Sequence, residues 1–166
     1  MHFHVMRSTA RSSSCVTPRD TERGLPYHGS MSSELLRGNC FCGFVQYEVA
    51  GPFWHQTHCT CETCRRTSGA PLVPWATASR SAFRILSGTP ASFQSSAHGT
   101  RTFCPRCGTP LTFSTTQYPN EIDFTLCSFQ DPEALPPKDV TFASSMPQWL
   151  PEFSRLPAFP KARPGT

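Results

Sequence analysis

Apolar and polar residues alternate in short runs along most of this chain, and turn signals separate the runs. Val45, Tyr47 and Val49 alternate with Gln46 and Glu48 before Gly51-Pro52 breaks the pattern. A period of two places successive side chains on opposite faces of a half-buried strand. The same reading predicts short strands at Leu72–Thr77, Phe83–Leu86, Ala91–Gln94 and Leu111–Ser114. Ile122, Phe124 and Leu126 alternate with Asp123, Thr125 and Cys127, which predicts one more. Ser87-Gly88 and His98-Gly99 are turn dipeptides between these runs. Asp131-Pro132-Glu133-Ala134-Leu135 predicts a single helical turn, with Asp131 as cap and Pro132 at the first position. No stretch sustains a 3.6-residue period, so the predicted fold class is mainly β, built from short antiparallel strands.

The strand-like pattern begins at Leu35. Residues 1–33 are rich in Ser, Thr and Arg, show no apolar periodicity, and read as a disordered or extraneous extension. The first nineteen residues hold three arginines and no acid, as a mitochondrial presequence does. Pro18 and the missing amphipathic stripe favour instead an upstream extension, with Met31 as the working start. From about Pro151 the chain is Pro-rich and reads as a loose tail, leaving residues 34–150 as the folded domain. No apolar run approaches the ~20 residues of a membrane helix. The first residues also lack the apolar core of a secretory signal. The default expectation is therefore a soluble, cytoplasmic protein.

Cysteine usage changes the picture more than overall composition does. The chain has 9 cysteines, an odd number that suits a closed disulfide framework poorly. In a reducing compartment, closely spaced cysteines bind metal more often than they pair. Seven of them fall into three groups: Cys40 and Cys42; Cys59, Cys61 and Cys64; Cys104 and Cys107. Phe103-Cys104-Pro105-Arg106-Cys107-Gly108 reads as a zinc knuckle. Its turn brings two sulfurs to one tetrahedral ion, Pro105 presets the turn, and Gly108 allows a left-handed residue. A redox Cys-x-x-Cys would open a helix after a strand, whereas here Pro110 and a predicted strand follow. Four ligands close a structural site. Cys40 and Cys42, in a segment that Gly38 and Gly43 allow to bend, are the natural partners of Cys104 and Cys107.

Cys59, Cys61 and Cys64 offer three thiolates. Three protein ligands leave a zinc position open, the catalytic arrangement. The competing reading is a second closed site completed by His55, His58 or Cys127. Cys127 sits on a predicted strand and reads by default as a buried small apolar residue. Cys15, in the N-terminal extension, has no evident partner. Arg65 and Arg66 follow Cys64 directly; they can balance a three-thiolate site or hold a substrate carboxylate, and otherwise form a solvated basic pair. Trp75 and Phe53 read as core. The formal charge of +4 treats every thiol as neutral. Seven ligand thiolates and two zinc ions bring it close to zero, which argues against a nucleic-acid-binding surface.

The order Gly38 to Gly43, Cys59 to Pro71 and Phe103 to Leu111 resembles the glutathione-dependent formaldehyde-activating enzyme family, which includes centromere protein V. Ile122-Asp123-Phe124-Thr125, Asp131-Pro132 and Trp149-Leu150 extend the resemblance, which spans about Leu35 to Leu150. It implies a β-tent of small antiparallel sheets stapled by zinc. It also implies two zinc ions per chain, one structural at Cys40, Cys42, Cys104 and Cys107, one catalytic at Cys59, Cys61 and Cys64. The implied activity is that of a carbon–sulfur lyase joining glutathione and formaldehyde as S-hydroxymethylglutathione, with a small thiol and an aldehyde as partners. Many members read Cys-His-Cys where this chain has Cys59-Thr60-Cys61, so a role carried by that histidine has no counterpart here. The alternative, of another class, is a non-catalytic zinc-stabilised module that binds a protein.

Overall fold

A computed structural model describes residues 34–165. The readings of residues 1–33, Cys15 among them, lie outside the described residues. Among the described residues, ten short strands form. They are β1 Leu35–Asn39, β2 Gln46–Ala50, β3 Trp54–Cys59, β4 Val73–Ser79, β5 Phe83–Ser87, β6 Ala91–Gln94, β7 Gly99–Phe103, β8 Pro110–Thr115, β9 Glu121–Thr125 and β10 Asp139–Thr141. One α-helix, α1, spans Glu62–Ser68. The strands make a three-stranded sheet, β1-β2-β5, and a seven-stranded sheet, β10-β3-β4-β9-β8-β7-β6. The protein is mainly β, and its pairings are antiparallel except one: β10 lies parallel to β3 along the sheet edge. Antiparallel neighbours can be joined by tight turns, but the chain reaches β10 only after a long excursion, so either direction is open to it.

The two sheets enclose one core. Val45, Tyr47 and Val49 project from the small sheet against Ala76, Ala78 and Phe124 of the large one, with Leu111, Leu126, Phe129 and Leu135 filling in. The alternation read along β2 is thus the inward face. Glu48, on the opposite face, is nevertheless buried. β2 is the central strand, and Arg37 on β1 and Arg84 on β5 stand in register with Glu48 and close over its carboxylate. β4 works in both directions. Ala76 and Ala78 enter the main core, while Val73 and Trp75 enter a second cluster with Cys59 and Cys64. Successive side chains of a strand point to opposite faces, so β4 is the partition between core and site.

Several elements depart from the pattern read in the chain. β3 and β7 carry mostly polar residues and form because both neighbours in the sheet supply partners. The run Ile122–Cys127 ends as a strand at Thr125 and continues as a 3-10 turn over Leu126–Ser128. That turn buries Leu126 and leaves Cys127 exposed, which corrects the expectation that Cys127 is core. Asp131 does cap its turn, accepting from Glu133 N at 3.0 Å, but the segment stops at a turn rather than a helix. Residues 151–165 are exposed throughout, with a 3-10 helix at Leu150–Arg155. Among the described residues, no helix is long and apolar enough to cross a membrane.

Two positions give direct tests of this packing. Gly38 on β1 sits where a Cβ would collide with the ring and hydroxyl of buried Tyr47 and stand 2.8 Å from Ser128 O. Tyr47 cannot retreat, because its hydroxyl is bonded to Ser128 Oγ at 2.6 Å. Gly38→Ala should cost about 1–3 kcal/mol in urea unfolding, the range of core overpacking. Asp123 on β9 accepts from Thr77 Oγ1 at 2.6 Å, yet burial holds its carboxyl above the ordinary value of 3.8. A raised folded-state pKa means the fold prefers the protonated acid, so stability falls as pH rises from the unfolded value through the raised one. Asp123→Asn keeps an acceptor for Thr77 and removes that penalty. It should match or exceed the wild type in stability at pH 7, with the difference vanishing below about pH 4.

Candidate metal centres

The first centre is made by two turns, one from each sheet. Cys40 directly follows β1, and the chain reverses through Cys42 and Gly43, whose φ is +72°. Cys40 N donates to Val45 O at 3.0 Å and Gly43 N to Cys40 O at 2.9 Å, closing the bend. This bend is what lets a Cys-x-Cys spacing converge. Cys104 directly follows β7, and its knuckle is closed by Gly108 N donating to Cys104 O at 2.9 Å, with Gly108 at φ +76°. The turns meet so that all four sulfurs lie within 4.8 Å of one another.

The sulfur spacings discriminate between bridging and ligation. Cys40 Sγ and Cys42 Sγ are 3.6 Å apart, and Cys42 Sγ and Cys104 Sγ 3.8 Å. A disulfide needs about 2.05 Å. A tetrahedral zinc with Zn–S near 2.3 Å holds its sulfurs about 3.8 Å apart. Backbone N–H groups already point at the sulfurs: Val45 N to Cys40 Sγ at 3.2 Å and Arg106 N to Cys104 Sγ at 3.4 Å. Thr109 Oγ1 stands 3.2 Å from Cys107 Sγ and helps pull that thiol down to about 5. The donor set fits a closed four-thiolate ion.

The second centre is local in sequence. Cys59 ends β3, Cys61 is the N-cap of α1, and Cys64 lies one turn into the helix. Residues three apart on a helix share a face, so α1 turns Cys64 back over Cys61. Cys61 Sγ accepts from Cys64 N at 3.3 Å, doing for this helix what a Ser or Asp cap does elsewhere. Gly69 ends the helix at φ +66°, and Ser68 Oγ accepts from Ala70 N at 3.2 Å and donates to Cys64 O at 2.7 Å. Ser68-Gly69-Ala70 is therefore the C-terminal cap of the ligand helix. The three sulfurs lie within 4.8 Å of one another, with Cys59 and Cys64 buried against Val73 and Trp75.

Among the described residues, no further His, Cys, Asp or Glu joins this group. His55 is exposed on a bulge of β3 with φ +50°, Cys127 is exposed, and His58 Nδ1 is buried without a partner. The hydrogen bond from Cys59 and the cation of Arg101 bring Cys64 down to about 5. Cys59 is pushed up by sharing that proton with Cys64 and by burial.

Arg65 and Arg66 are placed differently from each other. Arg65 Nε donates to Thr60 O at 3.1 Å, while Arg66 pairs with Glu62 at 3.4 Å on the exposed face of α1. The cation on the sulfurs is Arg101, from β7. Its Nη2 donates to Cys64 Sγ at 3.5 Å, and its guanidinium lies 4.9 Å from the Phe113 ring centroid and 5.8 Å from that of Trp75. Sequence reasoning missed Arg101 because 37 residues separate it from Cys64. The available signal was its position just before the knuckle, on the strand that leads into Cys104.

Thr60, between Cys59 and Cys61, is fully buried. Its N donates to Thr141 O at 3.1 Å and its hydroxyl to Phe142 O at 2.8 Å, while its carbonyl accepts from Arg65 and, at 3.3 Å, from Ser145 Oγ. Thr60 thus buckles the ligand loop to the segment after β10. Thr60→Val, which keeps shape and loses the hydroxyl, should cost about 1 kcal/mol in thermal unfolding. Thr60→Ser should recover most of it.

Comparison with curated proteins yields no significant match. A crystal structure of a Rhodobacter sphaeroides protein, determined as a structural-genomics target, superposes with a TM-score of 0.52 at 25% identity. The alignment covers 64% of this chain and 100% of that one. The profile of the glutathione-dependent formaldehyde-activating enzyme family matches residues 35–145, from the first strand of the small sheet to the turn that Thr60 holds, so this chain belongs to that family.

Proposed function

We propose that the chain is a zinc-dependent carbon–sulfur lyase that makes and breaks the bond between a thiol sulfur and an aldehyde carbon. The family's reaction, glutathione with formaldehyde, is the model substrate pair. The observation that carries this reading is the contrast between the two cysteine groups, four sulfurs in one and three in the other. Cys40, Cys42, Cys104 and Cys107 would hold a structural zinc, and Cys59, Cys61 and Cys64 a second. Zinc held by three thiolates supplies a position that favours a substrate thiol as its thiolate at neutral pH.

The protein's own groups do the rest. Cys59 and Cys64 are sunk among Val73, Trp75 and Phe113, which keep water from the sulfur side of the site. A three-thiolate zinc has net charge −1, and the Arg101 cation offsets it at the sulfur edge. Arg66 is held only by an exposed i,i+4 pair, so it can swing to a substrate carboxylate at little cost. Arg65 keeps its position through Nε and has its terminal nitrogens left for the same task.

The test counts zinc per chain and follows glutathione–formaldehyde exchange by NMR. The wild type should hold two zinc ions and exchange faster than the uncatalysed adduct. Cys64→Ser should hold one, keep its circular dichroism spectrum and lose the acceleration. A wild type that binds two zinc ions yet accelerates neither this pair nor other small thiols and aldehydes would sink the proposal.

A further inference from the structure

Resting on the thiol–aldehyde reading above, we infer that Arg101 is the catalytic residue that receives the developing oxyanion. Three observations converge on it. Its Nη2 stands 3.5 Å from Cys64 Sγ, at the edge of the three-sulfur group. Its Nε is buried with no hydrogen-bond partner. Its guanidinium is set against the rings of Phe113 and Trp75.

Each observation bears on the chemistry. A substrate sulfur must sit beside Cys59, Cys61 and Cys64, and the aldehyde oxygen ends up two bonds from it. A donor already at the sulfur edge is within reach of that oxygen. Buried donors are almost always paired, so an orphaned N–H at a reactive centre calls for a ligand or a catalytic role. Phe113 and Trp75 lie within cation–π range of the guanidinium and help fix its position. That is the preorganisation an oxyanion requires: donors fixed before charge develops, in a site with little water.

The step balances without further reagents. The thiol proton leaves to water. The thiolate lone pair forms the carbon–sulfur bond, and the carbonyl π pair moves onto oxygen. Arg101 holds that alkoxide until it takes a proton from water. Guanidinium stays charged throughout and acts only as a donor, never as the acid. The reverse sequence releases the aldehyde. The single negative charge that enters as thiolate passes to the oxygen as alkoxide, beside a centre that would already be anionic, and Arg101 is the cation found at its sulfur edge.

The test uses Arg101→Gln and Arg101→Lys in the full chain, with three readouts: zinc per chain, exchange kinetics, and tryptophan fluorescence on adding two stable glutathione thioethers. S-methylglutathione carries no oxygen near the sulfur; S-carboxymethylglutathione carries an anionic one. The wild type should bind the carboxymethyl compound at least about 10-fold more tightly, as a charge-assisted bond predicts. Arg101→Gln should keep two zinc ions, lose that preference and lose about 10²-fold in kcat. Arg101→Lys, with charge but no fork, should fall between. Arg101→Gln that keeps both the preference and kcat within twofold overturns the assignment. So does a variant that loses one zinc ion, since Arg101 would then be holding the ligands together. A wild type with no acceleration at all overturns the proposed function instead.

Discussion

Everything else in this protein depends on four sulfurs meeting from two sheets. Cys40 and Cys42 lie in the turn after β1, in the small sheet; Cys104 and Cys107 lie in the turn after β7, in the large one. Cys40 and Cys104 are fully buried members of the main core, so the sulfur group is continuous with the apolar packing. A domain of short strands cannot rely on long ladders, and a metal joining its two sheets at one corner would compensate for a modest core. A metal bound there would also contribute folding free energy, because the preformed site does not exist in an unfolded chain.

β7 connects that group to the three-sulfur group. It delivers Cys104 to the four-sulfur group and, three residues earlier, Arg101 to the three-sulfur group. A metal ion at the first centre would therefore hold the strand that places the cation at the second. β4 supplies the other constraint, with Trp75 on the site side and Ala76 and Ala78 on the core side. The site is thus built on strands and one capped helix turn, and only Thr60 ties it to the less regular segment after β10.

Two neighbouring residues show how context divides like chemistry. Arg65 and Arg66 follow the same ligand, yet one is tied to a backbone carbonyl and the other faces solvent. Helix geometry separates adjacent residues by about 100°, so the two leave α1 in different directions. Thr60 makes a related point. The position between Cys59 and Cys61 is filled by a side chain small enough to be buried and satisfied by backbone carbonyls of a distant segment.

The chain alone determined the features that local geometry controls. Cysteine spacing announced both sulfur groups, alternation marked the inward face of β2, and turn residues located several of the bends. These signals are legible because two- and three-residue spacings fix where side chains point in a strand or a tight turn. The tertiary structure decided what depends on partners far along the chain. β3 and β7 are too polar to declare themselves and exist by pairing; α1 is too short to show a period. Cys127 turns outward because a 3-10 turn replaces the end of a strand. Arg101 reaches Cys64 only because the large sheet brings their elements together. Non-local pairing is settled by the sum of contacts across the fold, and no window of sequence contains that sum.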